Sequence, residues 1–288
     1  MIRDYLRQTY RMLLPLLYGR ARHKTFLKAA LGEIDLRVQQ LASTVDYYSG
    51  WVRPIRIEAP FGESMLVVAP HQDDEVIGCG GALALQVRTG RAASTVVLTD
   101  GADEPEAFGM ARQELAALRN EESRQAAVVL GAGAPRFLGH TNLIADAARA
   151  AEELARILRA QKTDALFTPF VLDGHPQHRE ANYVTAEALK QTGGRVRVLG
   201  YEVWSFAIPN VAVVIDEVMD RKVEALGCFA LANKAVNYTW STKGANMYRS
   251  RVLEAGTANY AECFFELPRE EYIELVDRVR AVEIRMRP

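Results

Sequence analysis

Residues 71–75 read His-Gln-Asp-Asp-Glu and residues 175–178 read His-Pro-Gln-His. Asp73, Asp74 and Glu75 crowd three carboxylates beside His71. Like charges held this close are costly unless a proton or a cation is shared among them, so a bound divalent metal accounts for the cluster economically. Imidazole and carboxylate are suitable donors, and a catalytic zinc site typically has three protein ligands and an open position for water. His175 and His178 are two of the chain's five histidines. Taken alone, their HxxH spacing is equally well met by a surface turn. If both segments reach one place, His71, Asp74 and His178 can form the ligand set. Neighbouring carboxylates can then divide the work, one on the metal and the other free to accept a proton.

Positioning these residues requires two strands of one sheet. Short β-branched runs at 65–69, 95–98, 165–168, 198–204 and 211–215 alternate with amphipathic stretches at 78–89, 106–130, 145–160 and 179–191, with a further helix expected over 269–282. Buried apolar strands alternating with helices predict a three-layer α/β/α domain with a mostly parallel, Rossmann-like sheet. His71 follows the strand at 65–69 and His175 the strand at 165–168, at the carboxyl ends where open α/β sheets bind ligands. A dinucleotide fingerprint competes weakly: eight residues, five of them polar or charged, separate strand from glycines, and Gly78, Gly80 and Gly81 make GxGG rather than GxGxxG. The glycines are expected to let the helix approach the sheet. Cys79 has no base paired to it and reads as small-residue packing.

The two motifs resemble those of the PIG-L/LmbE-like family of zinc-dependent N-acetylglucosamine-type deacetylases, whose signatures are (P/A)HPDDE and HPDH. The similarity extends to LTDGADE at 98–104, the 119–131 helix with Glu121 and Glu122, FLG at 137–139, YEVW at 201–204, Lys222, and YAE at 260–262. It covers about residues 64–265. The resemblance implies Zn2+, or another divalent metal, on His71, Asp74 and His178, with Asp73 as general base. His175 is implied to stabilise the oxyanion or donate a proton. The implied reaction is hydrolysis of the N-acetyl group of an N-acetylglucosamine-like sugar, in a glycoconjugate, sugar nucleotide or lipid-linked saccharide. Another acylated small molecule and a non-catalytic sugar-binding role are the alternatives.

Two departures from the signatures stand out. Gln72 replaces a proline, giving up a fixed φ for an amide that could reach substrate or solvent. Gln177 replaces the aspartate of HPDH, and a neutral amide there is expected to leave His175 less cationic. Arg119 is a candidate contact for a sugar hydroxyl or phosphate, and Asp173 for substrate, with a surface salt bridge and a turn as their respective alternatives. Asp100 is expected to support the metal histidines or to cap a helix. Trp204 and Trp240 are read as sugar-stacking or core residues.

The chain has 288 residues, 49% hydrophobic and 25% charged, with 35 basic against 36 acidic side chains. It is long enough to bury a core without metal or disulfide. A net charge of -1 argues against a general nucleic-acid binder. Cys79, Cys228 and Cys263 are odd in number and far apart, which fits a reducing, cytoplasmic setting. Residues 1–60 read as a basic amphipathic helical extension of the 61–288 deacetylase-like domain. Arg3, Arg7, Arg11, Arg20, Arg22, Lys24 and Lys28 are opposed only by Asp4 before Glu33. That extension either packs on the domain or, through residues 1–30, touches the inner face of an anionic membrane, which would favour a lipid-linked substrate. A homo-oligomer is a further open expectation.

Overall fold

The computed structural model describes residues 54–286 except Ala255. The expected extension therefore lies outside the described residues up to position 53. Its described remainder is extended rather than helical. In chain order the elements are β1 (Ile55–Arg56), β2 (Ser64–Ala69), α1 (Asp74–Arg88), β3 (Ala92–Thr99), α2 (Arg112–Leu130), β4 (Arg136–His140), α3 (Ala147–Gln161), β5 (Ala165–Pro169) and α4 (Pro176–Lys190). They continue with β6 (Arg197–Tyr201), β7 (Val211–Val214), α5 (Met219–Gly227), α6 (Ala230–Ala235), α7 (Tyr238–Arg249), β8 (Ala261–Pro268) and α8 (Arg269–Met286).

Among the described residues one sheet runs β1-β7-β8-β6-β5-β2-β3-β4. β8 is antiparallel to β6 and β7, and the other pairings are parallel. Alternation along β2 divides the core. Met65 and Val67 enter a cluster with α1, α2 and α5, while Leu66 and Val68 enter another with α3, α4 and α8. The result is the three-layer α/β/α arrangement expected from the sequence. No described helix is long and apolar enough to cross a membrane.

Several boundaries depart from expectation for local reasons. The stretch expected as one helix over 106–130 is broken: a 3-10 turn spans Pro105–Phe108, and Gly109 closes it at φ 64. The strand expected over 198–204 ends at Tyr201. β8 carries no clear strand pattern in the sequence, because Glu262 and Glu266 interrupt its apolar run although Glu262 is buried. Gly78 confirms the close approach of helix to sheet. A Cβ there would stand 2.2 Å from the Tyr201 ring, which is itself fully buried.

Candidate active site

β2 is flanked by β5 on one side and β3 on the other. The chain leaves these central strands in opposite directions, and ligands bind at such a switch point. His71 follows β2, and Asp73 and Asp74 open α1. His175 and His178 open α4, with Pro176 in its first turn, where the missing N–H costs nothing.

Asp74 is the hub. Its Oδ2 accepts from the His71 backbone N–H at 2.9 Å, and lies 3.1 Å from His71 Nδ1 and 3.3 Å from His178 Nε2. Ligand atoms on a tetrahedral zinc, each roughly 2.0–2.1 Å from the ion, are about 3.3–3.4 Å apart. The far nitrogens meet acceptors: His71 Nε2 is 2.5 Å from Gln177 Oε1, and His178 Nδ1 is 3.1 Å from Asp173 Oδ1. Metal-binding histidines are oriented by such contacts on the nitrogen away from the ion. His178 is fully buried, and neither its Nδ1 nor its Nε2 makes an aligned hydrogen bond despite the nearby carboxylates. Burial opposes charge on this imidazole, yet Asp74 and Asp173 push it up to about 10. The surroundings thus demand positive charge between the carboxylates, which a metal would satisfy as well as a proton. Nitrogens of His71, His175 and His178 also lie within 4.8 Å of one another. The residues present therefore fit a divalent metal. Asp74 Oδ2 lies between His71 and His178, and His175 stands beside them.

Asp73 has φ 116°, a region that side chains avoid and that is tolerated where surrounding contacts impose it. Its backbone N–H donates to Glu75 Oε2 at 2.9 Å, and Ser123 Oγ holds Glu75 Oε1 at 2.6 Å. Although Asp73 is the N-cap of α1, its carboxylate makes no capping bond; its Oδ2 accepts a long contact from Arg119 Nη2 at 3.4 Å and lines the cavity. Burial pushes that carboxyl up to about 7, with Arg119 opposing and Asp74 reinforcing. Burial likewise raises Glu75 to about 7. Asp74 moves the other way: burial would raise it, but His178 and then His71 hold it well below the usual carboxylate range. Glu75 and Ser123, unassigned from the sequence, thus brace the backbone of Asp73. The carboxylate pattern at 73–75 was their only sequence signal.

Several side chains singled out from the sequence make other contacts than those expected. Asp173 does not present itself to substrate: it is fully buried behind His178, and its Oδ2 accepts from the backbone N–H groups of Trp204 and Ser205. Gln177 reaches His71 and donates to Asp103 Oδ2, so it does not orient His175. His175 is nevertheless shifted down, by burial first and then by His71 and His178. Asp100 binds Arg112 through both oxygens at 2.6 and 2.8 Å, securing the start of α2, and is bonded to none of the metal-site histidines. Arg119 lines the cavity, but its terminal nitrogens donate to the backbone carbonyls of Gly101 and Gln72 at 2.7 and 2.9 Å and reach Asp73 Oδ2 at 3.4 Å. Gln72 is fully buried and donates to Asn120 Oδ1, out of reach of substrate. Cys79 lies in the core, where burial raises its thiol well above the usual range.

The cavity over these residues has a volume of about 340 Å³. Ile77, Phe108, Val203, Trp204 and Tyr238 form its apolar walls, with Asp103 and Glu104 also lining it. The Trp204 ring stacks toward His175 at 6.4 Å between centroids. Trp240, by contrast, is 78% exposed and belongs to no core.

Fold and site together define an α/β domain with imidazole and carboxylate donors converging at the carboxyl edge of its sheet. Residues 66–189 match the family described as PIG-L, GlcNAc-PI de-N-acetylase. It is 26% identical over 193 residues to the diacetylchitobiose deacetylase of Thermococcus kodakarensis, spanning 59% of this chain and 71% of that protein. The structure resembles the N,N'-diacetylchitobiose deacetylase of Pyrococcus horikoshii with a TM-score of 0.64 and 22% identity, covering 83% of this chain and 96% of that one. It also resembles GalB, the 4-carboxy-2-hydroxymuconate hydratase of Pseudomonas putida KT2440, with a TM-score of 0.60 and 22% identity, over 72% and 96% of the two chains. The fold therefore serves more than one chemistry.

Proposed function

We propose that the protein is a divalent-metal-dependent N-deacetylase acting on an N-acetylglucosamine-type substrate, releasing acetate and a free amino sugar. One observation carries this reading: the Asp73 carboxylate, outside the donor set and touched only by Arg119 at 3.4 Å, lines one cavity with His71 and Asp74, whose Oδ2 also approaches the buried His178. The family match on residues 66–189 supports deacetylation over the other chemistry of this fold.

His71, Asp74 and His178 would hold the metal, with zinc the natural choice for two imidazoles and a carboxylate. When bound, it supplies Lewis acidity for the acetamide oxygen and lowers the pKa of water to about 7. Asp73 accepts the proton of the water that adds to the acetamide carbon, and its raised affinity for protons suits it to that task. The same proton then passes to the departing nitrogen, completing the exchange of the C–N bond for a C–O bond. His175, shifted toward its neutral form, donates one N–H bond to the carbonyl oxygen as charge develops there. Trp204 offers its face to the sugar ring.

The test is acetate release by the zinc-loaded full chain from N-acetylglucosamine, N,N'-diacetylchitobiose and simple N-acetylglucosaminides, with metal content measured on the same sample. Stoichiometric zinc with acetate formation is expected. Bound zinc with no acetate from any of these would leave a sugar-binding role in place of catalysis.

A further inference from the structure

A second cavity of about 270 Å³ adjoins the first. The two share Ile77, Val203, Trp204 and Tyr238 as walls. Ligand pockets usually start near about 300 Å³, so the second space is small for an independent ligand and suits an extension of the first. Its other walls are mainly apolar or small, among them Phe206, Val236, Thr242 and Ala245. Trp204 and Phe206 are each 55% exposed at its edge. Phe206 stacks on Tyr248 with 5.8 Å between centroids, and the Arg249 guanidinium carbon lies 4.7 Å from the Phe206 ring centroid. An aromatic path thus leads from His175 through Trp204 toward Tyr238.

Charge narrows the occupant further. Apart from histidines, the basic residues lining the two cavities are Arg119 and Arg249. Arg119 is taken up by two backbone carbonyls and the Asp73 carboxylate, and Arg249 is paired with Glu202 through Nε at 2.8 Å and through Nη2, which also donates to the Ala207 carbonyl. Neither is left to bind a phosphate. Asp103 and Glu104 would instead repel one, and like charges brought together across an interface are strongly disfavoured.

We infer that the second cavity is the subsite for an uncharged, apolar aglycone of the amino-sugar substrate, joined to the sugar in the first cavity across the Trp204–Tyr238 wall. This extends the deacetylase reading, since that reading places the acetamide at His71–His178. It selects neutral glycosides with aryl or alkyl aglycones over sugar nucleotides. Ala245 faces this subsite as a small residue, so a larger side chain there fills it.

Binding and turnover are measured separately, so the two ideas can fail independently. Calorimetric titration of the zinc-loaded full chain compares N-acetylglucosamine, phenyl and octyl N-acetyl-β-glucosaminide, and uridine-diphosphate N-acetylglucosamine. The aryl and alkyl glycosides are expected to bind at least about tenfold more tightly than the free sugar, and the nucleotide sugar no more tightly than the free sugar. In Ala245→Trp, and to a lesser degree in Ala245→Leu, that preference ratio should collapse toward one, with thermal melts confirming that each variant folds. Equal affinities in the unsubstituted protein, a preference for the nucleotide sugar, or a ratio unchanged in a folded Ala245→Trp protein would overturn the subsite. Preferential glycoside binding without acetate release would instead retain the subsite and remove the deacetylase reading.

Discussion

Asp73 is held at φ 116° by contacts that leave its carboxylate outside the imidazole cluster, with only Arg119 beside it, whereas Asp74 is surrounded by imidazole nitrogens. Two adjacent residues of one type should therefore fail differently. Asp73→Asn is expected to lower kcat by about 10²–10⁴, the usual worth of a general base, with zinc stoichiometry nearly unchanged. His178→Ala should lose the metal itself. Retention of most activity by Asp73→Asn would remove the base assignment. One step further out, Asp173→Asn and Gln177→Leu each disturb the acceptor on one imidazole and should weaken zinc affinity by about 10–100-fold, read by competition with a chelator. Unchanged affinity in both would mean that these contacts do not orient the ligands. The residue types at 71–75 and 175–178 were legible in the sequence because their chemistry is local. Their partners were not: Gln177 meets His71 across 106 positions, and only folding decides that it does not face His175.

At the level of elements, α1 carries the site at its start and is pinned at its middle. Glu262 on β8 accepts from the N–H groups of Gly81 and Ala82 at 2.7 and 2.8 Å, while Lys222 on α5 donates to the Ile77 carbonyl and to Glu262. Ile77 C=O and Gly81 N–H are the groups a regular helix would join, so the Lys222–Glu262 pair serves both. Each residue is essentially fully buried. Lys222→Met leaves Glu262 without a cation, which costs about 3–5 kcal/mol for a broken buried pair. For a domain of this size that corresponds to a Tm lower by roughly 6–20 °C. Lys222→Met with Glu262→Gln should recover part of the loss, and a single variant melting with the parent would show that the pair contributes no stability. The parallel centre of the sheet was legible because its strands are continuous apolar runs. β8 was hidden by the very glutamate that this pairing requires.

For the whole molecule the question is whether metal makes the fold or only the function. His71, Asp74 and His178 come from segments joined by pairing of Met65, Leu66 and Val67 on β2 with Ala165, Leu166 and Phe167 on β5. Those contacts, and the hydrophobic clusters on both faces of the sheet, involve no ligand to metal. Removing zinc with dipicolinate should therefore abolish acetate release while leaving the far-UV circular dichroism intact. Restoring zinc at 100–1,000 times its Kd stabilises the native state by about 2.7–4.1 kcal/mol. At roughly 2–4 °C per kcal/mol, the Tm should rise by about 5–15 °C on reloading. Loss of helical signal on chelation would make the metal part of the fold, and a Tm indifferent to zinc would argue that the converging donors do not bind it. The distinction follows from size: a sheet with a packed core on both faces can carry three crowded carboxylates at its edge without requiring metal to fold.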